Sequence, residues 1–118
     1  MTAGKPQLVY HMCRREEWKA ALACGAYAGS SQDLADGFTH FSTAEQLPES
    51  AWRHRAGQSG LVVLAADVEM LGDALRWEAS RSGALFPHLY GKLPVPAVRW
   101  VRDLPLGKNG LHILPQLE

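Results

Sequence analysis

The spacing of apolar residues changes several times along this chain, and each change marks an element. Leu8-Val9-Tyr10-His11-Met12 is a short apolar run with aromatic and β-branched members, which predicts a first strand. Arg14 to Cys24 predicts a helix. Trp18, Leu22 and small alanines give it an apolar stripe, Glu16 and Glu17 suit its positive N-terminal end, and Gly25 is placed to stop it. Ala26 to Gly37, rich in Gly, Ser, Asp and Gln, reads as a loop. Phe38-Thr39-His40-Phe41-Ser42 alternates aromatic with polar, a strand with Phe38, His40 and Ser42 on one face and Thr39 and Phe41 on the other. Ser42-Thr43-Ala44-Glu45 has the form of a capping box, the Ser42 hydroxyl accepting from the Glu45 N–H while the Glu45 carboxylate reaches back. A helix follows to about Arg55, in which Pro48 either makes a kink or stands first in a later start; Gly57 and Gly60 end it.

Leu61 to Ala66 is continuously apolar and predicts a strand buried on both faces, hence central in its sheet. Val68 to Leu71 fits one helical turn, Ala74 to Glu78 a strand, and Ser80-Arg81-Ser82-Gly83 a turn leading into Leu85-Phe86. Pro94 and Pro96 leave room only for a short turn before a strand from Val98 to Leu104. Lys108-Asn109-Gly110 carries the Asn-Gly hairpin signal, after which Leu111 to Leu114 close the fold. Two helices in the N-terminal half followed mostly by strands predict an α+β class rather than a doubly wound parallel sheet. With 118 residues and no repeat, low-complexity tract or charge block, residues 1–118 are expected to form a single domain.

Twelve basic residues balance twelve acidic ones, which excludes a broad basic face for nucleic acid. Local pairs such as Arg14 with Arg15, or Arg53 with Arg55, could still hold one phosphate. Cys13 and Cys24 flank the first helix, roughly 16 Å apart along an intact helix, beyond disulfide reach. They are expected to serve as small apolar side chains in a reducing compartment. Met1 to Gln7 has no apolar leader segment, and the longest apolar run is a third of a membrane span. A soluble, cytoplasmic protein is the expectation.

Four groups stand out. His40, Ser42 and Thr43 lie where a strand becomes a helix, a place with free N–H groups suited to phosphate or carboxylate oxygens. The plainer reading has Ser42 and Thr43 only capping and His40 only bonding backbone. His11, at the end of the first strand, is by itself more naturally structural, but it gains meaning if it meets His40. Glu78 is unusual in a strand; it either pairs with Arg76 or Arg81, or supplies a carboxylate for acid–base work or for positive charge at a sugar carbon. Phe86-Pro87-His88-Leu89-Tyr90-Gly91 reads as a loop able to stack on a flat ring, or as a packed corner with Phe86 and Tyr90 in the core. Phosphate-loop, Cys-x-x-Cys and nucleophile-elbow patterns are missing, and the histidine spacings lead us to expect no metal. Trp52 and Trp100 read as core or surface-covering residues.

Val9-Tyr10-His11 with Glu17-Trp18, Asp36 to Gln46, Leu75-Arg76-Trp77-Glu78 with Ser80, and Leu85 to Gly91 together resemble a bacterial family, domain of unknown function 952, over almost the whole chain. More distantly, a first-strand histidine, an aromatic-Ser-Thr group and a later-strand glutamate resemble the ADP-ribosyltransferase superfamily, including the RNA 2′-phosphotransferases. That second resemblance implies a split, mostly antiparallel sheet, with NAD as a substrate in its cleft. His11 would bond the ribose, His40 would stand near the nicotinamide in place of the usual aromatic, and Glu78 would be the catalytic carboxylate. From the residues themselves, and not from that resemblance, Ser42, Thr43, Arg76, Ser80, Phe86, His88 and Tyr90 are expected to bind substrate. Three expectations follow: an NAD- or nucleotide-sugar-dependent transferase, a non-catalytic module binding a nucleotide or small metabolite, or a polar network that only fixes the packing.

Overall fold

A computed structural model describes residues 7–80 and 83–117. Its elements run β1 (Leu8–Arg14), α1 (Arg15–Cys24), β2 (Ala26–Tyr27), α2 (Ser31–Asp36), β3 (Thr39–His40), α3 (Leu47–Arg55), β4 (Leu61–Asp67), α4 (Val68–Leu71), β5 (Leu75–Ala79), β6 (Leu85–Leu89), β7 (Leu93–Pro94) and β8 (Val98–Leu104). This is a small α+β fold with four α-helices among the described residues, and its described strand pairs are antiparallel.

The apolar run of β4 explains the core. β4 lies between β1 and β8, and all seven of its residues are buried. Val62, Leu64 and Ala66 pack on one side with Val9, Trp18, Phe41, Leu89 and Leu93. Leu61, Val63 and Ala65 pack on the other with Tyr10, Met12, Leu47, Ala51 and Leu104. A strand covered on both faces has no polar side to show, so its sequence does not alternate.

A second sheet has the order β3-β6-β5, and β2 pairs with β7 in a short ribbon. The two three-stranded sheets meet just after β3. Phe41 N donates to Pro87 O at 2.9 Å, and Ser42 then exchanges two backbone hydrogen bonds with Tyr10, each 2.8 Å. Four consecutive residues thus start in one sheet and finish on the edge of the other, which sets His11 against His40.

Several elements differ from the sequence expectation. The segment from Ala26 to Gly37, expected as a loop, holds β2 and α2, so three helices rather than two fall in the N-terminal half. A six-residue helix is too short to display a period; its mark is the Ser30/Asp33 box. Phe86 to Leu89 lies within strand β6 and not in a loop, because its backbone pairs with β3 and β5 on both sides; Phe86 is half-buried and Tyr90 exposed. The expected Ser42/Glu45 box is replaced by reciprocal bonds between Thr43 and Gln46, one residue on, because Ser42 is held in the bridge to Tyr10. α3 therefore starts late, with Pro48 in its first turn. Leu22, at 54% exposure, and Cys24 face solvent, while Trp18 and Ala21 carry the apolar face of α1. Trp52 is also exposed. Arg81 and Ser82 of the expected turn lie outside the described residues.

Leu64→Ala should cost about 3 kcal/mol, read as a lower urea midpoint at unchanged m-value. Leu22→Ala, on the solvent side of α1, should stay within about 0.5 kcal/mol in the same measurement.

Candidate functional site

The site is built around a residue that the sequence reading passed over. Ser30 caps α2, its hydroxyl accepting from Asp33 N at 3.3 Å. In return Asp33 Oδ2 accepts from Ser30 N at 2.7 Å and from Ser30 Oγ at 3.0 Å. The other oxygen, Oδ1, accepts from His40 N at 3.0 Å and from His40 Nδ1 at 2.6 Å. Gly29 permits this close folding: at φ 104° a side chain is strained, and a Cβ there would stand 2.7 Å from Asp33 Cβ. Burial alone would raise the Asp33 carboxyl, but the hydrogen bond from the His40 ring and the backbone donors of Ser30 and His40 outweigh it and hold the group well below the usual carboxylate range.

Three histidines meet here, each with different partners. His40 has both nitrogens on carboxylates, Nδ1 on Asp33 and Nε2 on Asp36 Oδ2 at 3.0 Å. The Asp33 hydrogen bond, opposed by partial burial and helped by Asp36, raises its pKa and favours the imidazolium. His11 lies within β1 rather than at its end, and is buried. Its Nδ1 is 2.6 Å from His40 O, an acceptor only, so that nitrogen carries the proton and Nε2 accepts from the Tyr27 hydroxyl at 2.7 Å. Burial lowers the His11 pKa, so this ring is neutral. Burial pushes the Cys13 thiol, in the same strand, up to about 12.

His88 pairs in register with His40 across β3 and β6. Its Nδ1 donates to Glu78 Oε1 at 2.8 Å, and the Tyr90 hydroxyl donates to the same oxygen at 2.7 Å. The bonds from Tyr90 and then His88 lower the Glu78 pKa and keep it a carboxylate. Glu78 thus pairs with His88 and Tyr90, not with Arg76; the Arg76 guanidinium lies 5.3 Å over the Tyr90 ring. The His88 Nε2 makes no hydrogen bond to the described residues. Since no buried side-chain nitrogen or oxygen lacks a partner among them, this atom reaches solvent. Phe38 stacks on His88 with centroids 4.1 Å apart and also contacts the rings of His40 and Tyr90, and the two imidazole centroids stand 5.6 Å apart.

These groups border a cavity of about 570 Å³. Of the residues singled out in the sequence, His11, His40, Ser42, Ser80, Phe86 and His88 line it. Thr43, Arg76, Glu78 and Tyr90 do not: Thr43 is engaged with Gln46, and Glu78 touches the cavity only through His88. Ser42 donates its hydroxyl to Ser50 Oγ at 3.0 Å. Asp33 and Asp36 line the wall and were not foreseen as site residues, although Ser30-x-x-Asp33 was a readable signal for the first; Arg14 and Arg55, noted in the sequence within two local basic pairs, line it as well. Arg55 donates to Met12 O and Gln58 Oε1. The Arg14 guanidinium has no hydrogen bond or ion pair among the described residues, whereas Arg15 and Arg53 are paired with Asp103 and Glu49. No three His, Cys, Asp or Glu side chains are grouped as metal ligands among the described residues.

Residues 12–101 match the family model described as "Protein of unknown function (DUF952)". The chain belongs to this family. It is similar to the crystal structure of protein CC0527 from Caulobacter crescentus, at 49% identity over 90% of this chain and 93% of that one, with a TM-score of 0.87. The solution NMR structure of CC0527 matches at 49% identity over 90% and 91% of the two chains, with a TM-score of 0.80. No curated protein matches the chain. These matches lend no support to the ADP-ribosyltransferase resemblance. No helix among the described residues is long and apolar enough to cross a membrane.

The raised His40 pKa makes its ion pair stabilising in full below the ordinary value of 6.5, and that contribution is lost as pH rises through the native value. The difference in thermal midpoint between the wild type and His40→Gln should therefore be larger at pH 6 than at pH 9. Asp33→Ala, which strands the Ser30 and His40 donors, should cost about 1–3 kcal/mol by urea denaturation at pH 7.

Proposed function

We propose that the protein binds a small, polar, anionic metabolite in this cavity and acts on it by proton transfer. His88 is the general acid or base, Glu78 orients it, and the His40 imidazolium with Arg14 and Arg55 supplies positive charge. One observation carries the reading: His88 has Nδ1 fixed by a carboxylate while its Nε2 has no protein partner among the described residues and opens to solvent. An imidazole held by one nitrogen and open at the other can exchange a proton with a bound molecule without reorienting. The cavity volume lies within the range of small-molecule sites.

NAD and nucleotide sugars fall in this class, their phosphates suiting the cations and their rings the aromatic side of the cleft. In an NAD-dependent transferase Glu78 would face the sugar carbon directly. Its two hydrogen bonds and its place behind His88 favour a different role, in which Glu78 acts through the imidazole. A second reading, a non-catalytic module for the same ligand, draws support from His40, both of whose nitrogens are committed to carboxylates as a static charge.

The test is a thermal-shift screen against NAD, ADP-ribose, nucleotides and phosphorylated sugars, followed by His88→Gln with whichever ligand raises the midpoint. The enzyme reading expects turnover to fall about 10²- to 10⁴-fold while affinity changes little. A ligand that binds unchanged and is never converted selects the module. If no ligand shifts the midpoint or any histidine NMR signal, both readings fall and the network is structural.

A further inference from the structure

The two carboxylates on His40 are held very differently. Asp33 is sealed, its side chain 4% exposed, and takes four donors. Asp36 is at the surface, 37% exposed, and its Oδ2 holds His40 Nε2 at 3.0 Å with, among the described residues, one other hydrogen bond, from Gln32 Nε2 at 3.0 Å. It is the last residue of α2, followed by Gly37 at φ 87°, so its side chain can swing without disturbing a continuing helix. Exposed ion pairs of this kind are weak and easily exchanged. Asp33 is part of the frame; Asp36 is replaceable.

The charges around the cavity point the same way. Arg14, Arg55 and the His40 imidazolium line it, matched by Asp33, Asp36 and Glu17. Moving Asp36 aside leaves an excess of one positive charge at the atom it vacates. That unmatched charge, with the Arg14 and Arg55 guanidiniums as further donors on the same wall, suits the several charged oxygens of a phosphate or diphosphate group.

We propose that His40 Nε2 is the phosphate subsite of this cavity, and that Asp36 occupies it as an internal substitute until a phosphate-bearing ligand displaces it. Asp36 then acts as a specificity device. A neutral or weakly charged molecule cannot dislodge it, whereas a diphosphate exchanges one anion for another at the same nitrogen. This rests on the reading of the cavity as an anionic-metabolite site and names the group that such a metabolite presents to His40.

The experiment titrates inorganic pyrophosphate into the full chain while following the ring signals of His40 and His88 by NMR, in the wild type, Asp36→Asn and Glu17→Gln. Asp36→Asn should bind about three- to tenfold more tightly than the wild type, with the His40 signals moving along the binding curve. Glu17→Gln removes the same charge from the same wall without freeing His40, and should gain less than half as much. Gln32→Ala, which loosens Asp36 and leaves every charge in place, should also tighten binding, and keeps the test open if Asp36→Asn does not fold. Equal gains in Asp36→Asn and Glu17→Gln would overturn the proposal, since charge alone would explain them. His88 signals that move while those of His40 stay still would overturn it and leave the cavity reading standing. Signals that move in neither ring would end both.

Discussion

The buried carboxylate of Asp33 is the constraint on which the polar half of this molecule depends. An ionised group away from water is tolerated only when donors surround it, and Asp33 draws them from the cap of α2 and from both the backbone and the ring of His40. Those bonds fix the start of α2, the course of the chain into β3 and the orientation of the His40 ring at once. Through the His40 carbonyl they also orient His11, and through His11 the Tyr27 hydroxyl. Removing one carboxylate would disturb each of these in turn.

One residue type is thereby placed in three different settings around one cavity. His11, sealed between a carbonyl and a phenol, is neutral; His40, between two carboxylates, is charged. His88 has one nitrogen tied and the other open. The difference comes from the partners each ring faces, since the rings themselves are chemically alike. That pairing of a fixed charge with an oriented nitrogen is what the proposed acid–base role rests on.

The apolar half works by separate means and is largely independent of the polar network. β4 fills the middle of its sheet and is covered on both faces by two clusters, so the scaffold that carries β1 and its histidine stays rigid. The polar groups then gather where the second sheet joins the first, through the Tyr10–Ser42 bridge. Placing the site at this junction allows side chains from α2, β1, β3 and β6 to share one cavity, which no single element could build.

What could be read along the chain was what depends on neighbours a few residues away. The unbroken apolar run of β4, the glycine stop of α1 and the Asn-Gly turn near the C-terminus are local patterns, and the structure keeps each of them. The motifs around His11, His40, Glu78 and His88 pointed to the family. What depended on the folded arrangement was which polar residue meets which. Asp33 and Asp36 sat in a stretch whose composition suggests a loop, and only the helix α2 and the crossing between sheets turn their carboxylates toward His40. Glu78 and His88 are ten positions apart, and the hairpin of β5 and β6 is what joins them. Hydrophobic period and turn chemistry act over a few residues and can be read from order alone; the charge on an imidazole is set by groups that folding brings from elsewhere in the chain.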